Sequence, residues 1–293
     1  MTQDPMMAAA MKLSSSVDAL AALAAHARVH GEGLDVDPQV RRLLDDVVAE
    51  LTGTDGSQPA GAPVVGLAQT LMRLGSDMVA NPDRSGAWDH VDPVLLQGIG
   101  RMSGSIATAF AAAADSLAGL GDALAAEGAS FLDVGTGTGW LAIATAQAFP
   151  SLRVLGVDLF EVPLELARGN VEAEGLTDRV ELRLTDVLRM EGDETFDAIW
   201  VPLPFLPREI VPDVIAAVAG RLKPGGWLLP GSFAGPPDRL STLLVELRTV
   251  RSGGKVWSTD EIVALMEANG LADAHEVPRT WPAPVYLFAG RRP

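Results

Sequence analysis

The stretch Phe131-Leu132-Asp133-Val134-Gly135-Thr136-Gly137-Thr138-Gly139-Trp140 decides how the rest of the chain is read. A short apolar run ends at Val134, three glycines alternate with threonines, and an Ala- and Leu-rich run over 141–149 reads as a helix. Glycine lets a backbone turn tightly and approach a ligand without a Cβ in the way. The start of the following helix offers backbone N–H groups with no partner inside the helix, which suit a carboxylate or a phosphate.

Downstream of this stretch the same alternation continues. Strand candidates at 131–134, 153–157, 180–184, 198–201 and 227–229 are separated by helical stretches at 141–149, 163–174 and 210–222. Continuous apolar strands alternating with helices predict a parallel sheet covered on both faces. Two further helices are expected at 238–250 and 259–269, the second opened by a capping box of Ser258 and Glu261. Runs at 275–281 and 285–289 read as an antiparallel hairpin. The expectation is a Rossmann-like α/β fold, a seven-stranded, mostly parallel sheet with its last strand antiparallel.

Upstream, residues 1–127 read as helical. Expected helices cover 16–29, a segment opened by Asp37-Pro38 and stopped at Gly53, and 64–79, with a loop at 52–63. Asp92-Pro93 opens another, and Ala-rich helix continues in pieces to Glu127. The expected division is an all-helical cap over 1–127, shaping the substrate chamber, and a ligand-binding domain over 128–293. The Ala-rich run 105–126 reads either as packing on the sheet or as a homodimer face.

The chain has 293 residues, 48% of them hydrophobic, so a sizeable core is within reach. A formal net charge of -16 opposes binding to phosphate backbones and to anionic membranes, so neither nucleic acid nor a membrane is an expected partner. The absence of cysteine excludes disulfides, zinc-thiolate sites and thiol nucleophiles. Residues 1–11 show no basic segment leading into a long apolar one, and the apolar run 106–120 is broken by Asp115 and Ser116. A cytoplasmic protein without a leader or a membrane span is the expectation.

The glycine spacing separates two ligand classes. A dinucleotide-binding fingerprint sets its third glycine one place later, for close helix–strand packing, and that place holds Trp140. The observed G-x-G-x-G, with Asp133 two residues ahead, resembles motif I of the class I S-adenosylmethionine (SAM)-dependent methyltransferases. The resemblance covers about 130–291 and rests on the joint pattern. It implies that Gly135, Thr136, Gly137 and Gly139 wrap the amino-acid end of SAM, with Asp133 facing the ammonium. It implies that Asp158, with Leu159, meets the ribose hydroxyls, that Asp186, with Val187, meets the adenine, and that Trp200 stands where the fourth strand faces the methyl. Residues 222–227, Leu-Lys-Pro-Gly-Gly-Trp, resemble the family's turn into the fifth strand.

The chain departs from well-known subtypes. After the fourth strand it reads Val201-Pro202-Leu203-Pro204, without the Asn-Pro-Pro-Tyr of amino-directed enzymes. Just after the fifth, 230–235 holds no histidine of the kind plant-type O-methyltransferases use as a base, and 200–207 has none of the carboxylates of the metal-dependent type, so no metal is expected. The implied reaction is methyl transfer to a small molecule by positioning and water exclusion, leaving S-adenosylhomocysteine. Trp88, Gln97, Arg101, Pro202, Phe205 and Phe233 are the candidate substrate residues. His90, within Trp88-Asp89-His90-Val91-Asp92-Pro93, is the candidate general base, with a helix cap as the plainer reading. His26, His30 and His275 read as structural or solvent-facing. The competing readings are a SAM-binding protein that uses the sulfonium for other chemistry or for regulation, and a nicotinamide oxidoreductase, which Trp140 disfavours.

Overall fold

The computed structural model describes residues 4–54, 61–84, 86, 88–235 and 237–293. They fall into two compact units, 1–80 and 81–293, so the expected boundary at 127 and 128 lies inside the second unit. The first unit holds α1 (Pro5–Gly31), α2 (Pro38–Thr52) and α3 (Ala62–Ala80), and α1 packs on both of the others. Helix α1 begins eleven residues before the expected start at 16, because Asp4 caps the amide of Met6 and Pro5 occupies the first turn. Asp37 accepts from the amides of Gln39 and Val40 to open α2, and Gly53, at φ 69°, closes it. Part of the expected loop, 55–60, lies outside the described residues. Among the described residues, α1 is the one helix long and apolar enough to cross a membrane, by length and composition alone. Its buried face carries His26, Ala27 and Val29.

The second unit opens with α4 (Pro93–Gly104), α5 (Ala107–Ser116) and α6 (Leu120–Ala125). The strand–helix alternation follows as β1 (Ser130–Val134), α7 (Trp140–Ala148), β2 (Arg153–Asp158), α8 (Glu161–Ala173), β3 (Val180–Leu184), β4 (Phe196–Pro202), α9 (Val211–Ala219) and β5 (Leu222–Phe233). It ends with α10 (Arg239–Arg251), α11 (Thr259–Ala268), β6 (Ala272–Glu276) and β7 (Val285–Arg291). The strand order is β3-β2-β1-β4-β5-β7-β6, and only β7 runs against the others. This is the expected seven-stranded, mostly parallel Rossmann-like sheet with an antiparallel last strand.

Each sheet face buries its own core. Phe131, Ala198, Trp200 and Leu229 share one face with Phe110 of α5, while Leu132, Ile199 and Leu228 share the other with Ile215 of α9. The register sets Asp133 beside Gly156 on β2 and Trp200 on β4, which brings the glycine-rich loop to the carboxyl end of the sheet. Ligands of open α/β sheets bind at that end, where the strand order reverses.

Candidate active site

The loop after β1 bends through Gly135, Gly137 and Gly139, at φ 65°, 57° and 77°, a region in which a side chain is strained. Two hydrogen bonds tie it to β2: the Thr136 amide donates to the Val157 carbonyl (3.0 Å) and the Gly137 amide donates to Asp158 Oδ2 (2.8 Å). Asp158 Oδ1 accepts from the Phe160 amide (3.0 Å). Asp158 thus holds the loop and the entry to α8 while staying half-buried at the cleft. Burial raises its pKa, and the amides of Phe160, Gly137 and Leu159 oppose that rise.

Asp133 is 1% exposed, and its Oδ2 accepts from the Thr136 hydroxyl at 2.7 Å. Burial pushes its carboxyl up to about 7; the Thr136 hydroxyl opposes this, the neighbouring Asp158 adds to it, and the Ala142 amide opposes it. Gly156 makes room for this arrangement: a Cβ there would stand 2.7 Å from Thr136 Oγ1 and 2.9 Å from Leu182 Cδ2.

A cleft of about 520 Å³ opens over the loop, well within the range of small-ligand sites. Its lining includes polar groups, 135–138 with Asp158, Thr185 and Asp186. It also includes apolar and aromatic ones, Trp88, Leu96, Ile99, Trp200, Pro202 and Phe205. The Trp88 and Phe205 rings meet edge-on at 4.6 Å. A cofactor with a charged amino-acid end, a ribose and a base finds matching partners here. The Thr138 hydroxyl is buried without a hydrogen-bond partner, and no side chain caps the start of α7. The donor set therefore fits SAM.

Nine of the ten expected cofactor residues line the cleft: Asp133, Gly135, Thr136, Gly137, Asp158, Leu159, Asp186, Val187 and Trp200. The tenth, Gly139, sits at the start of α7, where a Cβ would stand 3.1 Å from the Ala167 Cβ, so its smallness serves helix packing. Asp186 also accepts from the Leu188 amide (2.9 Å), capping a short turn. Of the expected substrate residues, Trp88, Pro202 and Phe205 line the cleft.

The others stand behind it. Gln97 Oε1 accepts from Trp140 Nε1 (2.6 Å) and from Asn170 Nδ2 (3.1 Å), joining α4 to α7 and α8. Arg101 lies 4.2 Å over the Trp140 ring. Phe233 packs edge-on behind Phe205 at 5.4 Å. His90 is outside the lining; its Nδ1 is 3.1 Å from Arg84 Nη1, and its ring stands edge-on to Trp88 at 4.9 Å. An always-charged guanidinium makes that nitrogen an acceptor.

Sequence reasoning named no role for Gly100 and Thr138, which also line the cleft. Gly98 and Gly100 inside a helix were a usable signal, since glycine there costs about 0.5–1 kcal/mol relative to alanine and needs a reason. The reason is close approach: a Cβ on Gly100 would stand 1.9 Å from Thr138 Oγ1.

Comparison with known proteins places this geometry. Residues 131–226 match the family model described as "Methyltransferase domain". The release factor glutamine methyltransferase of Rhodopirellula baltica is 37% identical over 101 residues, 34% of this chain and 34% of its own length. Methyltransferase GfsG of Streptomyces halstedii is 33% identical over 152 residues, 49% of this chain and 53% of its own. The chain thus spans between a third and about half the length of these curated relatives. Human N-acetylserotonin methyltransferase in complex with SAM shares the fold, with a TM-score of 0.63 at 14% identity over 99% of each chain.

Proposed function

We propose that the protein, whose residues 131–226 match a methyltransferase domain, is a class I SAM-dependent methyltransferase that methylates a small, largely apolar molecule. The observation that carries this reading is one cleft lined both by the glycine-rich loop with Asp158 and Asp186 and by the rings of Trp88 and Phe205. When bound, SAM supplies a methyl group made reactive by its sulfonium. Asp158 accepts the ribose hydroxyls with the lone pairs its two amide bonds leave over, and Asp186 meets the adenine edge. Asp133 answers the ammonium. The backbone of Gly135 and Gly137 admits the methionine end without a Cβ in the way.

Trp88 and Phe205 hold the acceptor by its apolar faces, and the residues of α4 that line the cleft keep water away. Arg84 holds His90 outside the lining, so positioning and desolvation carry the reaction in this reading. The relatives include enzymes named for protein and tRNA substrates. A net charge of -16 disfavours RNA, and Val201-Pro202-Leu203-Pro204 lacks the Asn acceptor that amide methylation uses. We place the protein in the cytoplasm. A homodimer through the N-terminal helices is consistent with the exposed stripe of Val40, Leu43, Val47 and Leu51 on α2.

A panel of small aromatic and aliphatic acceptors, incubated with the protein and methyl-labelled SAM, tests the reading. Label transferred to a small-molecule acceptor supports it. Label transferred only to protein or RNA from a parallel panel removes the small-molecule substrate.

A further inference from the structure

The first unit contains a cluster that the proposed reaction does not use. His26 and His30 lie one turn apart on α1, so their rings project from one face, with centroids 4.4 Å apart. Asp45 on α2 meets both: its Oδ1 is 2.8 Å from His30 Nε2 and 3.3 Å from His26 Nε2. Among the described residues this is the one group of three such donors whose ligand atoms all lie within 4.8 Å of one another.

We propose that His26, His30 and Asp45 bind a divalent transition-metal ion of the zinc class. The donor chemistry fits: two imidazoles and a carboxylate are preferred ligands of zinc. The spacing fits as well. A tetrahedral zinc with ligands at about 2.0–2.1 Å separates neighbouring donors by roughly 3.3 Å. The His26–Asp45 separation, 3.3 Å, matches that value, and the His30–Asp45 separation, 2.8 Å, is shorter.

The degree of burial adds to the case. His26 is fully buried, which fixes its ring, whereas His30 and Asp45 are 22% and 34% exposed, which leaves an entry path. Three protein ligands leave a fourth position for water or another small ligand. The ion would join α1 to α2 across the turn at 32–37 and stabilise a small helical unit by linking folding to metal binding. The competing account is a simple hydrogen-bonded clamp, in which Asp45 holds the two rings without an ion.

The test uses the full chain, stripped with a chelator and titrated with Zn²⁺ against a chromophoric competitor. Metal content after gel filtration and thermal unfolding with and without Zn²⁺ are read alongside. The expected result is one zinc per chain and an unfolding midpoint that rises with Zn²⁺. His30→Ala and Asp45→Asn should each weaken binding at least about tenfold, the loss that even outer-shell changes produce. Asp45→Asn keeps the side chain's size, and circular dichroism confirms that it folds. His275→Ala, on β6 of the second unit, should bind as the unsubstituted chain does. No saturable zinc binding, or binding unchanged in both variants, overturns the proposal.

Discussion

Asp133 is where burial and chemistry meet most directly. Its carboxyl titrates near 7 because the protein has taken it out of water, against an ordinary value of 3.8. The raised pKa means that the folded chain holds a proton that the unfolded chain has already lost. The stability contribution is fully present below 3.8 and disappears as pH rises through about 7. A bound ammonium reverses the balance by favouring the carboxylate. SAM binding below pH 7 should therefore release a proton, and affinity should fall as the solution is acidified. Calorimetry at about pH 6 in two buffers of different ionisation enthalpy should show release approaching one proton, absent in Asp133→Asn. Equal heats in both buffers would mean that Asp133 does not face the ammonium. Asp158→Ala should weaken SAM binding by about 1–3 kcal/mol, the cost of leaving buried hydroxyls unpaired, and unchanged affinity would remove Asp158 from the ribose site.

Helix α4 is held close to the glycine-rich loop by Gly100, by Gln97, which accepts from the Trp140 indole N–H, and by Arg101 over the same ring. Gly100→Ala should destabilise the chain by about 1–3 kcal/mol, because the new methyl would stand 1.9 Å from Thr138 Oγ1 and 3.0 Å from Trp140 Cδ1. A thermal unfolding curve unchanged from the parent would show that the two elements part easily. The inner strands were largely legible in the sequence because strands buried on both faces read as mostly apolar runs, and β3, Val-Glu-Leu-Arg-Leu at one edge, by its alternation. The β7 side was less so: β6 was expected at 275–281 and lies at Ala272–Glu276. Its sequence, Ala-Asp-Ala-His-Glu, is polar, its pairing comes from β7 alone, and its register shifts between Ala272 and His275, around Asp273 at φ 54°. The start of α1 was hidden by Ser14, Ser15 and Ser16, which look like a cap but lie inside the helix. In the site, the loop and the strand-end acids were legible because backbone freedom and carboxylate placement are local. Gln97, Arg101, Phe233 and His90 look equally polar or aromatic in sequence. Their partners Trp140, Asn170, Phe205 and Arg84 are set by packing, mostly between separate elements.

At the scale of the whole molecule, every residue lining the cleft belongs to the unit 81–293. An acidic chain with an apolar cleft favours a neutral or cationic small acceptor over a phosphate-rich polymer. All of this rests on the claim that the loop, Asp158 and Asp186 form a SAM site, not a dinucleotide site or an ordinary strand–helix turn. The direct measurement is isothermal titration calorimetry of the full chain with SAM, S-adenosylhomocysteine and NAD. Saturable binding of SAM and S-adenosylhomocysteine at one site per chain, with no heat from NAD, is the predicted result. Binding of NAD, or of none of the three, would contradict it.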